Sequence, residues 1–425
     1  MNDALGLPVT TTSAAALDAY DRGANLLFSW GREALDHFTA ATAEDPQLAL
    51  AHAGIAICHF LEERFPEART TAQEARARAV RQSAREQSHV NAVALLVTGK
   101  TSEADQAMRD HLAAYPRDLV VFQRLYYIWF WQGRFREMLD LTTAHLPAYG
   151  GTSYLLGLHA FVLEEADRFA EAARAAEAAI RTNERDAWAV HALAHTLYEQ
   201  ASFETGITRL PPAVHPLDHL GWFKNHLLWH LALMHLASGD YERAGDMARS
   251  VFERAPSSIA GDLHDSISLL WRLELCGKPA GDRWQPFAAI ARDRLDRQGL
   301  LYHAVHLGMA LASAGDWPTA ETQLEMLRQR IPKDRTGLVA AVAIPLLEGM
   351  QAFVRGDYRT AIDTIEPLRP RIIELGGSRA QRDVYHDTLL EACFRVGDME
   401  RAERLLAERV TRRPDHFWRT RAATA

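Results

Sequence analysis

The sequence predicts an all-α protein in which helical hairpins stack into one right-handed solenoid. The prediction rests first on a tripeptide, Gly-Asp followed by an aromatic residue, which begins at Gly239, Gly315 and Gly356 and recurs more weakly at Gly397. An alanine follows each of these glycines five residues later, and a proline follows three of them seventeen residues later. The second observation is that no stretch alternates apolar and polar residues as a strand would. Self-similarity at a fixed spacing is typical of repeat proteins.

Each repeated residue has a physical role in a helical hairpin. Glycine adopts the positive φ that is needed where two antiparallel helices meet. The aromatic residue packs under the turn, the alanine lets the helices cross closely, and the proline ends the second helix. Gly99 and Gly133 lie 34 residues apart and extend the pattern toward the N-terminus. A helix–turn–helix of this length is the tetratricopeptide repeat, so we expect about ten tetratricopeptide-like hairpins, enough to curl into a nearly closed ring.

The pattern predicts a single domain, because residues 1–425 read as one tetratricopeptide-repeat solenoid. Two segments depart from it. Residues 207–224 contain Pro211, Pro212 and Pro216, which predicts an irregular insert over one mouth of the concave groove. Residues 415–425 are predicted to be a frayed C-terminal tail.

Composition excludes several classes of function. With 47 Lys and Arg against 55 Asp and Glu, the net charge is −8 and no long block of like charge occurs, so we expect neither nucleic acid nor a membrane surface as partner. The three cysteines are far apart in the sequence, which argues against disulfides and a thiolate zinc site and favours a cytoplasmic protein. We find no signal-peptide pattern and no apolar stretch long enough to span a membrane.

First-helix side chains are expected to line the concave face of the solenoid. In tetratricopeptide proteins, positions 2, 5, 9 and 12 of the repeat point to that face, and we number each repeat so that its turn glycine is position 15. Most candidates are histidine or aromatic, and His230 falls at position 6, the edge of the face. The candidates are His89, Tyr127, Glu164, Trp188, His191, His195, Tyr198, His226, Trp229, His230 and Asp387.

Two His-x-x-x-His pairs, His191/His195 and His226/His230, lie on adjacent first helices. The i, i+4 spacing places each pair on one helical face, and packed helices are roughly 8–10 Å apart, so the pairs can converge. One interpretation is acid/base chemistry with Glu164. A second is a metal site, but neither pair encloses a glutamate and no cysteine assists, so we predict no metal and no cofactor. A third is that the histidines only join adjacent repeats by hydrogen bonds.

A second candidate site begins at Gly377-Ser378. Ser378 is a suitable N-cap for the following helix, and Arg379 and Arg382 lie in its first turn. A helix N-terminus with two arginines could bind an anion. The alternative is that the arginines form structural ion pairs.

Several motifs resemble the tetratricopeptide repeat protein 38 family. The segment from Asp186 to His195, DAWAVHALAH, is similar to that family's WAVHAxAHxxE signature. The segments HLLWHLAL, from His226, and GGSRAQRD, from Gly376, resemble its HNxWHxAL and GGSxAQRD motifs, in the same order along nearly the whole chain. Leu227 stands where the family has asparagine. The resemblance implies the repeat fold.

Two functions follow as hypotheses. The first is a binding protein whose groove holds a peptide, a partner protein or a small polar or aromatic molecule. We also consider that the protein forms a homodimer. The alternative is an enzyme that uses the groove histidines and a carboxylate on a small molecule, for example in a biosynthetic pathway. The binding hypothesis predicts an open groove, whereas the enzyme hypothesis predicts a buried cavity. No recognised enzyme motif is present.

Overall fold

The computed structural model describes residues 1–424 and is almost entirely helical. In those residues, isolated bridges join Asn2 to Pro8 and Gly31 to Leu220, and no longer strand forms. The helices are α1 Ala14–Phe28, α2 Ala34–Glu44, α3 Ala49–Leu61, α4 Phe65–Ala79, α5 Ala84–Val97, α6 Thr101–Ala114, α7 Leu119–Phe130, α8 Phe135–Tyr149, α9 Ser153–Glu165, α10 Phe169–Thr182, α11 Ala187–Glu199, α12 Phe203–Val214, α13 Phe223–Ser238, α14 Tyr241–Met247, α15 Ala260–Leu275, α16 Gln285–Asp293, α17 Leu301–Ser313, α18 Trp317–Arg330, α19 Ile344–Val354, α20 Tyr358–Ile365, α21 Arg379–Val396, α22 Met399–Arg412 and α23 His416–Thr424.

The helices pair in order into hairpins, from α1/α2 to α21/α22, and α23 follows the last one. The glycines singled out in the sequence occupy the hairpin turns with positive φ, as at Gly99 (78°) and Gly239 (91°). The following alanines are buried, for example Ala104 and Ala320, because a small side chain lets two helices approach closely. The predicted fold class, an all-α solenoid of tetratricopeptide-like hairpins, is confirmed.

In four hairpins the turn position with positive φ is not a glycine. Trp30, Glu63, Asp167 and Ala201 occupy the turn with φ between 54° and 61°, a conformation that costs a side-chain-bearing residue about 1 kcal/mol or more. Three of these four side chains contact distant repeats, as shown below for Trp30, Glu63 and Asp167. Contacts across the molecule therefore offset the strain in these turns.

The solenoid closes on itself because the turns of its first repeats pack against its later repeats. Trp30 stacks on Phe223 with ring centroids 5.2 Å apart. Glu63 forms a salt bridge of 2.7 Å with Arg294. The turn at Gly133 lies directly against the backbone of Ile373. The concave face, which the binding hypothesis expects to be an open groove, is filled by the chain's own turns.

The two segments predicted to be irregular are largely ordered. Helix α12 continues to Val214 and holds Pro211 and Pro212 in its last turn, where a missing N–H and a bulky ring disturb few helical bonds. The irregular part is 215–222, and the carbonyl of its His219 accepts a hydrogen bond from the Arg32 amide. The insert therefore joins the N-terminal repeat to the middle of the chain.

The predicted frayed tail forms α23, and its Trp418 is 3% exposed. Just before this helix, Arg413 is fully buried between Glu199 and Asp383. The segment is thus fixed against the body of the solenoid, contrary to the prediction from its arginine-rich composition. Residue 425 lies outside the described residues. Within the described part, no helix has the length and apolar character required to cross a bilayer.

Candidate functional site

Four histidines from α11 and α13 meet in the interior, and we call His191, His195, His226 and His230 the histidine cluster. One ring nitrogen from each lies within 4.8 Å of those of the other three. The Nε2 atom of His226 is 2.9 Å from that of His191 and 3.3 Å from that of His230. All four residues are buried. The convergence expected from the two i, i+4 pairs is present.

Local sequence fixes the two helices that supply the cluster. Asp186 is the N-cap of α11 and its carboxylate accepts hydrogen bonds from the amides of Trp188 and Ala189, satisfying N–H groups that the helix leaves free. Every residue of α11 is buried, so the helix is packed on all sides and its histidines cannot turn to solvent. Numbering the repeats placed His230 at the edge of the concave face, whereas it is 0% exposed and lies inside the cluster.

The most important residue that sequence reasoning missed is Asp265, on α15. Its Oδ2 atom accepts a hydrogen bond of 2.6 Å from Nδ1 of His226, and its Oδ1 atom is 3.1 Å from Nε2 of His264. Burial would raise the pKa of Asp265, but His226 and His264 hold it below its usual value. The ionised carboxylate fixes the tautomer of His226, so its Nε2 lone pair faces the cluster. The repeat spacing could have pointed to Asp265. Its neighbour His264 is thirteen residues before the turn glycine Gly277, just as His226 is thirteen residues before Gly239.

Glu164 approaches the cluster from α9. Its Oε2 atom is 3.4 Å from Nδ1 of His195. Burial raises the pKa of Glu164 well above its usual value, and the negative charges of Glu165 and Glu199 raise it further. The side chain therefore favours the protonated form far more than an exposed glutamate does.

Three of the four histidines of the cluster favour the neutral form. Burial lowers the pKa of His191, His195 and His230 well below the usual histidine value, and neighbouring imidazoles oppose a further positive charge. A neutral imidazole has one N–H donor and one lone pair. The cluster therefore presents several lone pairs to a shared space at neutral pH.

Many polar atoms around the cluster have no hydrogen-bond partner in the described protein. In folded proteins more than nine in ten such buried groups are paired, and leaving one unpaired costs about 1–3 kcal/mol. Their concentration at one place makes the cluster the candidate binding site. They are Nδ1 of His191 and His230, both ring nitrogens of His195, both carboxyl oxygens of Glu164 and the indole N–H groups of Trp188 and Trp229.

Aromatic rings surround the cluster, as the sequence suggested. Trp188 lies 4.7 Å from His191 between ring centroids, and Trp229 stacks on His226 at 5.5 Å. Tyr127 reaches the same wall through Trp188, at 5.2 Å. Trp30 continues this wall, and its indole N–H donates to the hydroxyl of Tyr127 over 3.1 Å. No sequence signal pointed to Trp30, because its place in the wall depends on the closure of the solenoid.

His89 belongs to a different cluster. Its Nδ1 atom is 3.0 Å from Oδ2 of Asp118, and the same carboxylate also contacts His111 and Arg85. We call Arg85, His89, His111 and Asp118 the N-terminal cluster. Because Arg85 already neutralises the carboxylate at 2.9 Å, this cluster has the character of a structural network.

The remaining predicted ligand-binding residues lie in ion pairs. Arg382 contacts Glu165 at 3.1 Å, and Arg379 pairs with Asp167. Asp387 accepts a hydrogen bond of 3.0 Å from Arg409. These contacts agree with the structural alternative for the segment after Ser378, whose side chain does cap α21.

Tyr198, the last of the predicted groove residues, packs under the guanidinium of Arg413, 3.8 Å from its ring centroid. It also lines a cavity beside α23 with a volume of about 20 Å³. A cavity of this size holds about one water molecule, whereas small-molecule pockets measure roughly 300–1,000 Å³. None of the four clustered histidines lines this cavity.

Several solved structures are similar to this chain at low sequence identity. No protein-family model matches the sequence. Among solved structures, the chain is similar to the human IFIT1 dimer with m7Gppp-AAAA, at 14% identity over 90% of this chain and 91% of that chain, with a TM-score of 0.43. It is also similar to yeast Tom70, at 13% identity over 96% and 94% of the two chains with a TM-score of 0.35. A third is the P58(IPK) TPR domain, at 13% identity over 91% and 99% with a TM-score of 0.20. At these identities the likeness concerns the tetratricopeptide-like fold alone.

Proposed function

We propose that this protein binds a small polar molecule or ion at the histidine cluster, inside a closed tetratricopeptide-like solenoid. The observation that carries the proposal is the group of buried, unpaired polar atoms on His191, His195, His230 and Glu164. A ligand that forms hydrogen bonds or coordinate bonds with these atoms would remove the free-energy cost of leaving them unpaired. Membership of the tetratricopeptide repeat protein 38 family is part of the proposal and rests on the motifs quoted above.

An extended peptide suits this interior less well than a small ligand does. The concave positions Trp188, His191 and His195 are at most 4% exposed, and they are covered by neighbouring repeats. A peptide needs a groove several residues long, whereas a small ligand needs only a brief opening between repeats.

The proposal is tested by the melting temperature of the protein with and without a cell extract that has been filtered to keep only molecules and ions below about 1 kDa, the size range that fits such sites. A ligand that binds only the folded state raises the melting temperature. We expect the extract to raise it for the wild type and for His215→Ala, which changes an exposed histidine.

The extract should have no effect on His195→Phe, which replaces two unpaired ring nitrogens by carbon. Glu164→Gln keeps the shape of the side chain and serves as a second variant if the first does not fold. An equal rise in wild type and variants, or no rise in the wild type, would contradict the proposal.

A second candidate function is acid/base catalysis, because environments push the pKa values of two neighbouring groups in opposite directions. The pKa of Glu164 is raised and that of His195 is lowered, both first of all by burial. A protonated carboxyl beside a neutral imidazole can supply a proton and accept one at the same pH. This candidate predicts that the wild type converts a compound in the extract and that Glu164→Gln does not. Unchanged extract after incubation with the wild type would eliminate it.

A further inference from the structure

We propose that the histidine cluster is a transition-metal site of the zinc type, with His191, His195, His226 and His230 as its ligands. This inference rests on the proposed function, since it names the class of ligand for the same buried cluster. It departs from the expectation drawn from the sequence, which was that the histidines bind no metal.

The distances between the ring nitrogens carry the inference. Zinc binds imidazole nitrogen at 2.0–2.1 Å in tetrahedral geometry, so neighbouring ligand nitrogens are then about 3.3 Å apart. The Nε2 atom of His226 is 3.3 Å from that of His230 and 2.9 Å from that of His191. The fourth ligand, His195, has its nitrogen within 4.8 Å of these atoms, so a side-chain movement of about 1–2 Å would complete the tetrahedron.

The chemistry of the ligand set also fits. Metal ions bind the unprotonated nitrogen of an imidazole ring. Both ring nitrogens of His195 lack partners, so either of them can bind an ion. Hydrogen bonds among the rings can use the Nε2 lone pairs only partly, whereas a cation would use one lone pair from every ring at once.

Carboxylates stand behind two of the proposed ligands. Nδ1 of His226 donates to Asp265 over 2.6 Å, and Glu164 is 3.4 Å from Nδ1 of His195. Metal-binding histidines commonly donate their second ring N–H to a carboxylate, which orients the ring and strengthens the ligand. Asp265, whose carboxylate is ionised, would also offset the charge that the ion brings into the interior.

The N-terminal cluster provides an internal comparison. His89, His111 and Asp118 also lie within 4.8 Å of one another. The guanidinium of Arg85 already contacts Asp118 at 2.9 Å, so a cation there would meet a fixed positive charge. We therefore assign metal binding to the histidine cluster and none to the N-terminal cluster.

The first experiment uses the untagged wild-type protein, stripped with a chelator and equilibrated with Zn²⁺ alone. We expect one equivalent of zinc per chain, and X-ray absorption at the zinc edge that fits imidazole nitrogens at about 2.0 Å. This measurement needs no variant. Less than stoichiometric zinc, or zinc bound mainly by oxygen, would overturn the inference and leave a purely hydrogen-bonded cluster.

Substitutions then locate the site. We expect His191→Gln/His230→Gln to weaken zinc binding at least about 100-fold and Asp265→Asn, a positioning residue, to weaken it about 10- to 100-fold. His111→Gln, in the N-terminal cluster, and His235→Ala, on the same helix α13, should leave the affinity unchanged. Circular dichroism confirms that each variant is folded. Equal zinc affinity in all the variants would overturn the assignment of the ligands.

The extract used for the proposed function separates the two ideas. If zinc is the ligand, Zn²⁺ alone raises the melting temperature and an extract passed over a chelating resin does not. If the metal-free extract still raises it in the wild type and not in His195→Phe, the metal inference is wrong and the proposed function stands. If neither zinc nor any extract has an effect, both fail.

Discussion

At the residue scale, the protein places titratable side chains where water cannot reach them. Glu164, Asp265 and the four histidines of the cluster are fully or nearly fully buried. Charges in such places are costly unless they are paired, which explains the close contact between His226 and Asp265. The same burial makes each of these groups sensitive to a change in a single neighbour.

His306, on α17, gives a prediction for acid stability. It is fully buried, its Nδ1 donates to the Tyr302 carbonyl over 3.0 Å, and burial lowers its pKa from 6.5 to about 3. Below pH 6.5 the unfolded state binds a proton that the folded state does not, so stability is complete above that pH and falls as the pH drops toward 3. The groups that face it are His264, Asp265 and Arg272 on α15 and Tyr385 on α21.

At about pH 5 this one group should account for about 2 kcal/mol of lost unfolding free energy relative to neutral pH. Replacing it in His306→Phe keeps a buried ring and removes the titration. Urea unfolding at the two pH values should therefore show a smaller loss in the variant than in the wild type, by about that amount. Equal losses would contradict the prediction.

At the scale of the element, the hairpin turn both reverses the chain and contacts distant repeats. Gly99 and Gly133 are the same kind of turn residue, with φ of 78° and 66°. A Cβ atom added at Gly99 meets nothing within 4 Å, whereas one at Gly133 would lie 2.0 Å from the carbonyl oxygen of Ile373. The first turn faces open space, and the second is part of the closure of the solenoid.

We therefore expect Gly99→Ala to lower the unfolding free energy by about 1–2 kcal/mol, through the left-handed backbone alone. Gly133→Ala should cost about 1–3 kcal/mol more, because the Ile373 backbone must also move. Chemical denaturation of the two variants side by side measures the difference. Equal costs would mean that the contact with Ile373 is not tight in solution.

At the scale of the whole molecule, closure converts a row of neighbouring repeats into a globular interior. An open solenoid is stabilised mainly by contacts between successive repeats. Here Trp30, Glu63 and Asp167 connect early turns to repeats far along the chain, and Arg413 connects the C-terminal end to α11 and α21. We expect such a molecule to unfold more cooperatively than an open array of repeats.

Arg413 tests the contribution of closure. Its guanidinium pairs with Glu199 at 2.6 Å and with Asp383 at 2.6 Å, and all three side chains are buried. Arg413→Met would leave two buried carboxylates without this partner and should destabilise the fold by about 3–5 kcal/mol. Arg249→Met, which breaks an exposed pair with Asp246, should cost at most about 1 kcal/mol. If thermal or urea unfolding shows similar losses of stability for the two variants, Arg413 does not stabilise the closed solenoid in this way.

The sequence by itself determined the repeat. Glycine, alanine and proline at fixed spacing act within one hairpin, through backbone φ, close helix crossing and helix termination, so their effect is local and legible in a single sequence. The same register placed His191, His195 and His226 on facing helices, and the structure brings them together. Applied to Gly277, it would also have found His264 beside Asp265.

Only the tertiary structure decided what the concave face became. Whether a repeat array stays open or closes depends on the sum of small rotations at every repeat interface. The spacing of residues in the sequence does not predict that sum. That sum brought Trp30 to the aromatic wall, turned the expected groove into a packed interior and ordered α23. It also placed Asp265 behind His226, because a carboxylate on α15 reaches α13 only when the helices pack with these faces opposed.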